Sequence, residues 1–443
     1  MVNEMNRFVK DTSITFSANI LNFIIGIGYS VILARILGPE GKGIYSLAIL
    51  VPTLIISFLN MSISTSTVYF IGKGDHALEK LFGNNIVLAG LLGGIGMLSA
   101  AGVVVLFQST FLKEVPLQYL FLATCIIPFS FAFNYLSSIL WGLQKFVKYN
   151  LIIVLRSLFF LFLVAIALIS LKKGVFGALS AEIISFILVV ILVTLLLGRT
   201  IKPSLTLDKE YMKNLWSYGT KVHIGNILAF LNYRLDMFLI NFFLNPLAVG
   251  YYSIAVAIAE KLALLSESAS IVLFPRVTSE TDEEQRKKFT PIVARNTFFI
   301  TLIGAIIIYF VSNKILLLLF SDLYLKSVMS LQILLPGIVA SAACRVLAND
   351  IAARGKPLQN SCLALVTVIV NLVLNILWIP VYGIEGAALA SMISYSIRLA
   401  GRLFLYKHIS GNSILETLLI QRSDMRFYFN IISSIKKWVK SKF

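Results

Sequence analysis

Twelve mostly apolar stretches of about twenty residues or more recur along this 443-residue chain, and few folds can accommodate that pattern. They run over 13–36, 44–71, 83–107, 117–140, 149–171, 175–198, 217–243, 248–275, 291–312, 328–353, 358–380 and 385–406. A helix of that length rises far enough to cross a hydrocarbon core of ~30 Å. Lipid offers no partner to an open backbone N–H or C=O, and the runs are too long for barrel strands, so each is predicted to be a helix. With 58% hydrophobic and 13% charged residues and a mean hydropathy of +0.88, the chain is far from a soluble composition. The expected fold is an all-α polytopic membrane protein with twelve transmembrane helices.

The polar start, "MVNEMNRFVKDTS", lacks a small-residue cleavage pattern, so the first run is read as a retained span. With the N-terminus inside, the inner segments before the tail carry sixteen lysines and arginines and the outer loops seven. That bias predicts cytoplasmic N- and C-termini. It also accounts for the net charge of +17 without invoking nucleic acid. In the tail "IISSIKKWVKSKF", Ile431, Ile435 and Trp438 fall at helical spacing among lysines. The segment reads either as a basic helix on the inner leaflet or as a disordered basic tail. Cys125, Cys344 and Cys362 form no disulfide framework or zinc spacing. Three histidines leave little material for hydrolytic or metal chemistry, and no metal or cofactor is expected.

The chain also repeats itself. "LGPEGKGIYSLA" at 37–48 returns as "LNPLAVGYYSIA" at 244–255, pairing Leu37, Pro39, Gly43, Tyr45, Ser46 and Ala48 with residues 207 positions later. "GVFGALSAEIIS" at 174–185 returns as "GIEGAALASMIS" at 383–394, 209 positions later. Two echoes in one order at nearly one offset predict an internal repeat of six spans. Six is even, so the halves enter from the same side and are parallel repeats. The expected parts are a six-helix bundle over 1–205, a second over 206–407 and a basic cytoplasmic tail over 408–443. In the turn itself, Leu37 is read as closing the first span, Pro39 as unable to continue its hydrogen bonding, Gly43 as permitting a tight re-entry, and Tyr45 as a half-wet interfacial phenol.

"LARILGPEGKGIYSLA", "RLDMFLINFFLNPLAVGYYSIAVAIAEKLALLSESASIVLFPRV" and "ARGKPLQNSCLALVTVIVNLVLNILWIPVYGIEGAALASMISYSI" together resemble the polysaccharide-transporter branch of the multidrug/oligosaccharidyl-lipid/polysaccharide exporter superfamily. These are the Wzx-type O-antigen and capsule repeat-unit flippases. The resemblance covers roughly residues 10–407, and twelve spans favour this type over the lipid II flippases. It implies two six-helix bundles in a MATE-like V and a central cationic cavity. It further implies an undecaprenyl-diphosphate-linked glycan as cargo, in a bacterial inner membrane. Polymerase and chain-length proteins of the same pathway are the implied protein partners.

Ionisable residues inside spans are costly and face protein or water. In span seven, Lys221, Gly225, Asn232 and Asp236 share one helical stripe, with His223, Arg234 and Asn241 nearly opposite. Span eight carries Glu260 and Lys261 at mid-depth, with Glu267 on the face of Glu260. Arg156, Glu182, Arg295, Arg345, Asp350, Arg398 and Arg402 lie in other spans. Arg234, Lys261, Arg156, Arg345, Lys221 and Arg398 are the candidate binders of an anionic cargo, since guanidinium groups suit forked phosphate contacts. Asp236 and Glu260 are the candidates for coupling to H⁺ or Na⁺. A competing reading has Lys221, Arg295, Arg398 and Arg402 snorkelling to the inner interface. Mid-depth pairs equally read as interhelical ties, and His223 reads as a packing residue before a proton relay.

Together these features predict a flippase working by alternating access, not an enzyme. A cation-coupled multidrug exporter of the same superfamily would need an acidic, aromatic cavity, against the surplus of in-span cations. A membrane polysaccharide polymerase or ligase would carry a long outer loop. Here the longest connections, near 199–216 and 276–290, fall on the inner side.

Overall fold

The computed structural model describes residues 2–74, 77–204, 206, 209–262, 283–354, 356–421 and 424. These residues form helices and turns, with no strand among them. Eight of the described helical stretches are long and apolar enough to cross a membrane. Two of the eight are double. Ile14–Leu59 spans 46 residues, about 70 Å if straight, and is interrupted at Gly38, whose φ is 66°. Leu358–Ser410 is interrupted at Gly383, with φ 62°. Lys209–Phe243 and Pro246–Lys261 fill the seventh and eighth positions, so described helices occupy all twelve expected places. The second half of span eight with Glu267, the loop near 276, and Ile431, Ile435 and Trp438 of the tail lie outside the described residues.

Two expected spans are not single helices. The run 44–71 breaks at 60–62, where Met61 and Ser62 take φ of 47° and 52°. A broken helix in lipid exposes carbonyls, and side chains meet them here. The Tyr135 hydroxyl donates to Asn60 O at 3.5 Å, and Ser66 Oγ donates to Ser62 O at 3.2 Å. The run 117–140 divides into Leu117–Thr124 and Ile126–Gly142. Pro128 lacks an N–H and its ring crowds the carbonyl of Thr124, four residues back.

The chain packs into two compact units, residues 1–253 with 316–326, and residues 254–315 with 327–443. In the first, Val2–Leu59 packs on Phe146–Ala165, Leu78–Phe107 on Ile126–Gly142, and Phe146–Ala165 on Gly174–Gly198. Its core joins Phe82, Ile139, Ile152, Val189 and Val193. In the second, Ser327–Ala353 packs on both Glu283–Ile315 and Pro357–Ser410. Its core is built on Ala294, Ala340, Ala343 and Cys344 beneath Leu399, Leu403 and Tyr406. Small residues on the contact face let helix backbones approach where lipid supplies no hydrophobic drive. The opposite faces are as apolar: Leu98, Leu106, Phe310 and Phe404 are all more than 70% exposed, as lipid-facing side chains must be.

The repeat is visible in the backbone. Gly174 and Gly383, 209 apart, both take left-handed φ, 54° and 62°. The two copies of the turn meet inside the first unit. Gly43 abuts the carbonyl of Pro246, and Gly250 abuts the carbonyl of Pro39; a Cβ would sit 1.7 Å and 1.8 Å from those oxygens. Gly43 is therefore needed for close backbone approach, and not, as the sequence suggested, for the re-entry turn. The turn is supplied by Gly38. Pro246 opens its helix, with the Asn245 side chain capping Ala248 N at 2.9 Å, a position that suits a residue lacking an N–H.

Candidate functional site

In the first unit, in-span charges gather around the first copy of the turn. Arg156 and Glu182 stand on neighbouring helices, Phe146–Ala165 and Gly174–Gly198, and form an ion pair through Arg156 Nη2 and Glu182 Oε1. The Phe186 ring lies under the guanidinium, 4.2 Å from Cζ to centroid. Tyr45 donates its hydroxyl to the other oxygen, Glu182 Oε2, at 3.5 Å. Tyr45 is only 7% exposed, so its phenol is an interior hydrogen-bond donor and not the half-wet anchor expected. Lys42 stands over the ring of Tyr45 at 5.1 Å and donates to Ser46 Oγ at 3.1 Å.

The second copy repeats the arrangement. Tyr252, the counterpart of Tyr45, donates its hydroxyl to Asp236 Oδ2, and Met237 N donates to Asp236 Oδ1 at 2.9 Å. Each repeated tyrosine therefore holds a buried carboxylate. Asp236 and Asn232 are both 2% exposed, so that stripe of Lys209–Phe243 is packed at these two positions. The opposite stripe is packed at His223 and Asn241. His223 lies 2.7 Å from Phe58 O, where a carbonyl can only accept, so its Nε2 carries the proton. Asn241 donates to Phe111 O at 3.0 Å and Lys113 O at 3.1 Å. His223 is thus a helix-packing residue. Arg234 is half-buried, with Nη1 donating to Tyr233 O at 3.4 Å. Lys221 lies on the same helix, its side chain outside the described set. Arg35 caps the π-helical segment Leu316–Phe320, its Nε donating to Leu319 O at 2.8 Å. That satisfies a helix-end carbonyl.

In the second unit, Glu260 and Lys261 are adjacent and half-buried at the end of Pro246–Lys261. Arg345 is half-buried on Ser327–Ala353. Arg398 is 5% exposed and stands 5.2 Å from the Tyr395 ring centroid. Arg295 is also 5% exposed, and it grips Asp424 through Nε at 2.5 Å and Nη2 at 3.0 Å. Neither arginine snorkels: both guanidinium groups are inside protein. Arg402 donates to Cys344 O at 2.9 Å. Asp350 pairs with Arg354 and accepts from Thr290. No cluster of metal-ligating side chains occurs among the described residues.

The structure brings Arg156 to Glu182 and Asp236 to Tyr252. It leaves Arg234, Lys261 and Arg345 on separate helices. Glu182 and Tyr45 are the residues that sequence reasoning passed over as a pair. The signal available was the repeat itself, which aligns Tyr45 with Tyr252.

Residues 8–280 match the family described as polysaccharide biosynthesis protein. A membrane protein of Methanocaldococcus jannaschii, MJ1068, is 26% identical over 274 residues, 59% of this chain and 54% of the relative. The chain spans about half the length of the first relatives it matches. A Shigella flexneri protein named "Putative O-antigen transporter" is 27% identical over 387 residues, 83% of this chain and 88% of that one. Among solved structures, lipid II flippase MurJ in an inward closed conformation superposes with a TM-score of 0.76 at 18% identity. That superposition covers 92% of this chain and 89% of that one.

Proposed function

The chain belongs to the polysaccharide biosynthesis protein family, and on that premise we propose that it carries an undecaprenyl-diphosphate-linked oligosaccharide from the inner to the outer leaflet, for surface polysaccharide. It is a multi-pass membrane transporter of the flippase type, and no bond is made or broken. The observation that carries the cargo reading is the set of arginines within apolar helices, above all Arg156, whose partner Glu182 engages one edge of its guanidinium. An anion gains from such groups in a low-dielectric interior, and a cationic drug does not.

In this reading Arg156, Arg234, Lys261, Arg345, Lys221 and Arg398 attract the diphosphate while the polyprenyl chain stays in lipid. The repeat halves, 1–205 and 206–407, are the moving parts. The repeat boundary near 205 and the packing boundary at 253 describe different things, ancestry and contact, and need not coincide. Asp236 and Glu260 would bias the cycle through H⁺ or Na⁺, which requires unequal affinity in the two states. The proposed location is the bacterial cytoplasmic membrane, with both termini inside. The exported units would pass to a polymerase and its chain-length partner.

Arg234→Glu and Lys261→Glu are each expected to reduce surface polysaccharide by about tenfold to a hundredfold. That is the effect of losing a charge-assisted contact of ~1.5–3 kcal/mol. The protein should still insert, as quantified by membrane immunoblot. Normal glycan in either variant removes that residue from the cargo path. Deleting the gene should leave lipid-linked units on the inner leaflet, scored by a membrane-impermeant glycosidase. Units accumulating on the outer leaflet would transfer the assignment to a polymerase.

A further inference from the structure

Arg156 is under-used. A guanidinium has five N–H donors, and here Nη2 serves Glu182 Oε1 while Nε is buried without an acceptor among the described residues. Only Nη2 meets the carboxylate, so the Nε–Nη2 edge that would grip an oxyanion with two parallel bonds is half engaged. The Phe186 ring covers the face of the group, 4.2 Å from Cζ to the ring centroid, and takes up none of its N–H donors. The Arg156 side chain is 27% exposed while that of Glu182 is 11% exposed, so the arginine is the more accessible partner. Glu182 has a second anchor in Tyr45, which can retain the carboxylate when Arg156 lets go.

We propose that Glu182 is a displaceable counter-anion: it neutralises and positions Arg156 in the empty transporter and yields the Nε–Nη2 edge to a phosphate oxyanion when cargo arrives. The inference rests on the reading that the cargo is an anionic phosphate ester. A carboxylate carries one charge and meets the guanidinium here at one oxygen. A diphosphate carries more charge and offers two oxygens to the same edge, satisfying the orphaned Nε. The released Glu182 remains hydrogen-bonded to Tyr45, whose turn packs backbone-to-backbone against its own copy. Glu182 makes no contact with cargo in this scheme and is a positioning residue.

The test uses full-length protein in nanodiscs and inorganic pyrophosphate as the probe, with affinity read by calorimetric titration and melting temperature read in parallel. Glu182→Gln should bind pyrophosphate at least about fivefold more tightly than wild type, because the competing charge is gone. Glu182→Asp, which keeps the charge on a shorter arm, should fall between the two. Arg156→Gln should lose binding. A gain in affinity on mutation is a sign that a purely structural ion pair would not give. Unchanged or weaker binding in both Glu182 variants overturns the proposal, as does the absence of pyrophosphate binding in wild type and Glu182→Gln alike. Neither result touches the flippase reading, which stands or falls on the leaflet in which lipid-linked units accumulate.

Discussion

Gly43→Ala and Gly250→Ala are each expected to lower the melting temperature of the purified protein by several degrees and to cut surface polysaccharide sharply. The new methyl group would lie 1.7 Å from Pro246 O in the first case and 1.8 Å from Pro39 O in the second. Both obstacles are backbone, so no rotamer change relieves them. The helix ends must separate, at a cost of about 1–3 kcal/mol or more. Gly90→Ala is the control, because nothing lies within 4 Å of its Cβ position. There the replacement should be neutral or stabilising, by helix propensity, by up to ~1 kcal/mol. The reciprocity of the contact adds a second expectation. The first alanine already opens the gap that the second requires, so Gly43→Ala/Gly250→Ala should cost less than the two single changes together. If either alanine variant melts like Gly90→Ala, that turn does not touch its copy.

The number and position of the spans were legible in the sequence because lipid imposes one rule, self-satisfied backbone over a fixed length. The repeat was legible for a similar reason: the same local backbone demands, such as left-handed φ at Gly174 and Gly383, leave the same residues. What failed to show was anything decided by a neighbour distant in sequence. Gly43 looks like a turn residue until Pro246 is seen against it. The break at 60–62 carries no proline or glycine, and its carbonyl partner, Tyr135, lies 75 positions away. Charges inside spans could be named, since they stand out against an apolar background. Their partners could not, because helical periodicity assigns a face without saying which helix it meets. Arg295 and Arg398 show the consequence. Depth alone suggested snorkelling, and packing instead places both inside the protein.

Arg295 also supports the second large effect. Its bidentate grip on Asp424, with a third hydrogen bond from Nη1 to Glu416 O at 3.2 Å, fastens the segment after the last span to Glu283–Ile315. Asp424 further accepts from Gln421 N at 2.9 Å. Burial pushes the Asp424 carboxyl up, but the hydrogen bonds from Arg295 and Gln421 and the Arg295 charge prevail and hold it below the ordinary range. A depressed folded value means the contribution is complete above about pH 4. It is lost as pH falls through the folded value and is flat across neutral pH. Asp424→Ala should be costly at every pH where the pair exists, because it leaves the Arg295 guanidinium buried and uncompensated, at about 3–5 kcal/mol. Amide exchange over Ile414–Leu418, followed by mass spectrometry, should then quicken about a hundredfold or more. Arg295→Met/Asp424→Ala should recover much of the protection, since an apolar side chain of similar length leaves no buried charge behind. Equal exchange in the single and double variants would mean the segment is held by its apolar contacts, Ile414 and Leu418 against the core of the second unit, and that the ion pair only sets its register.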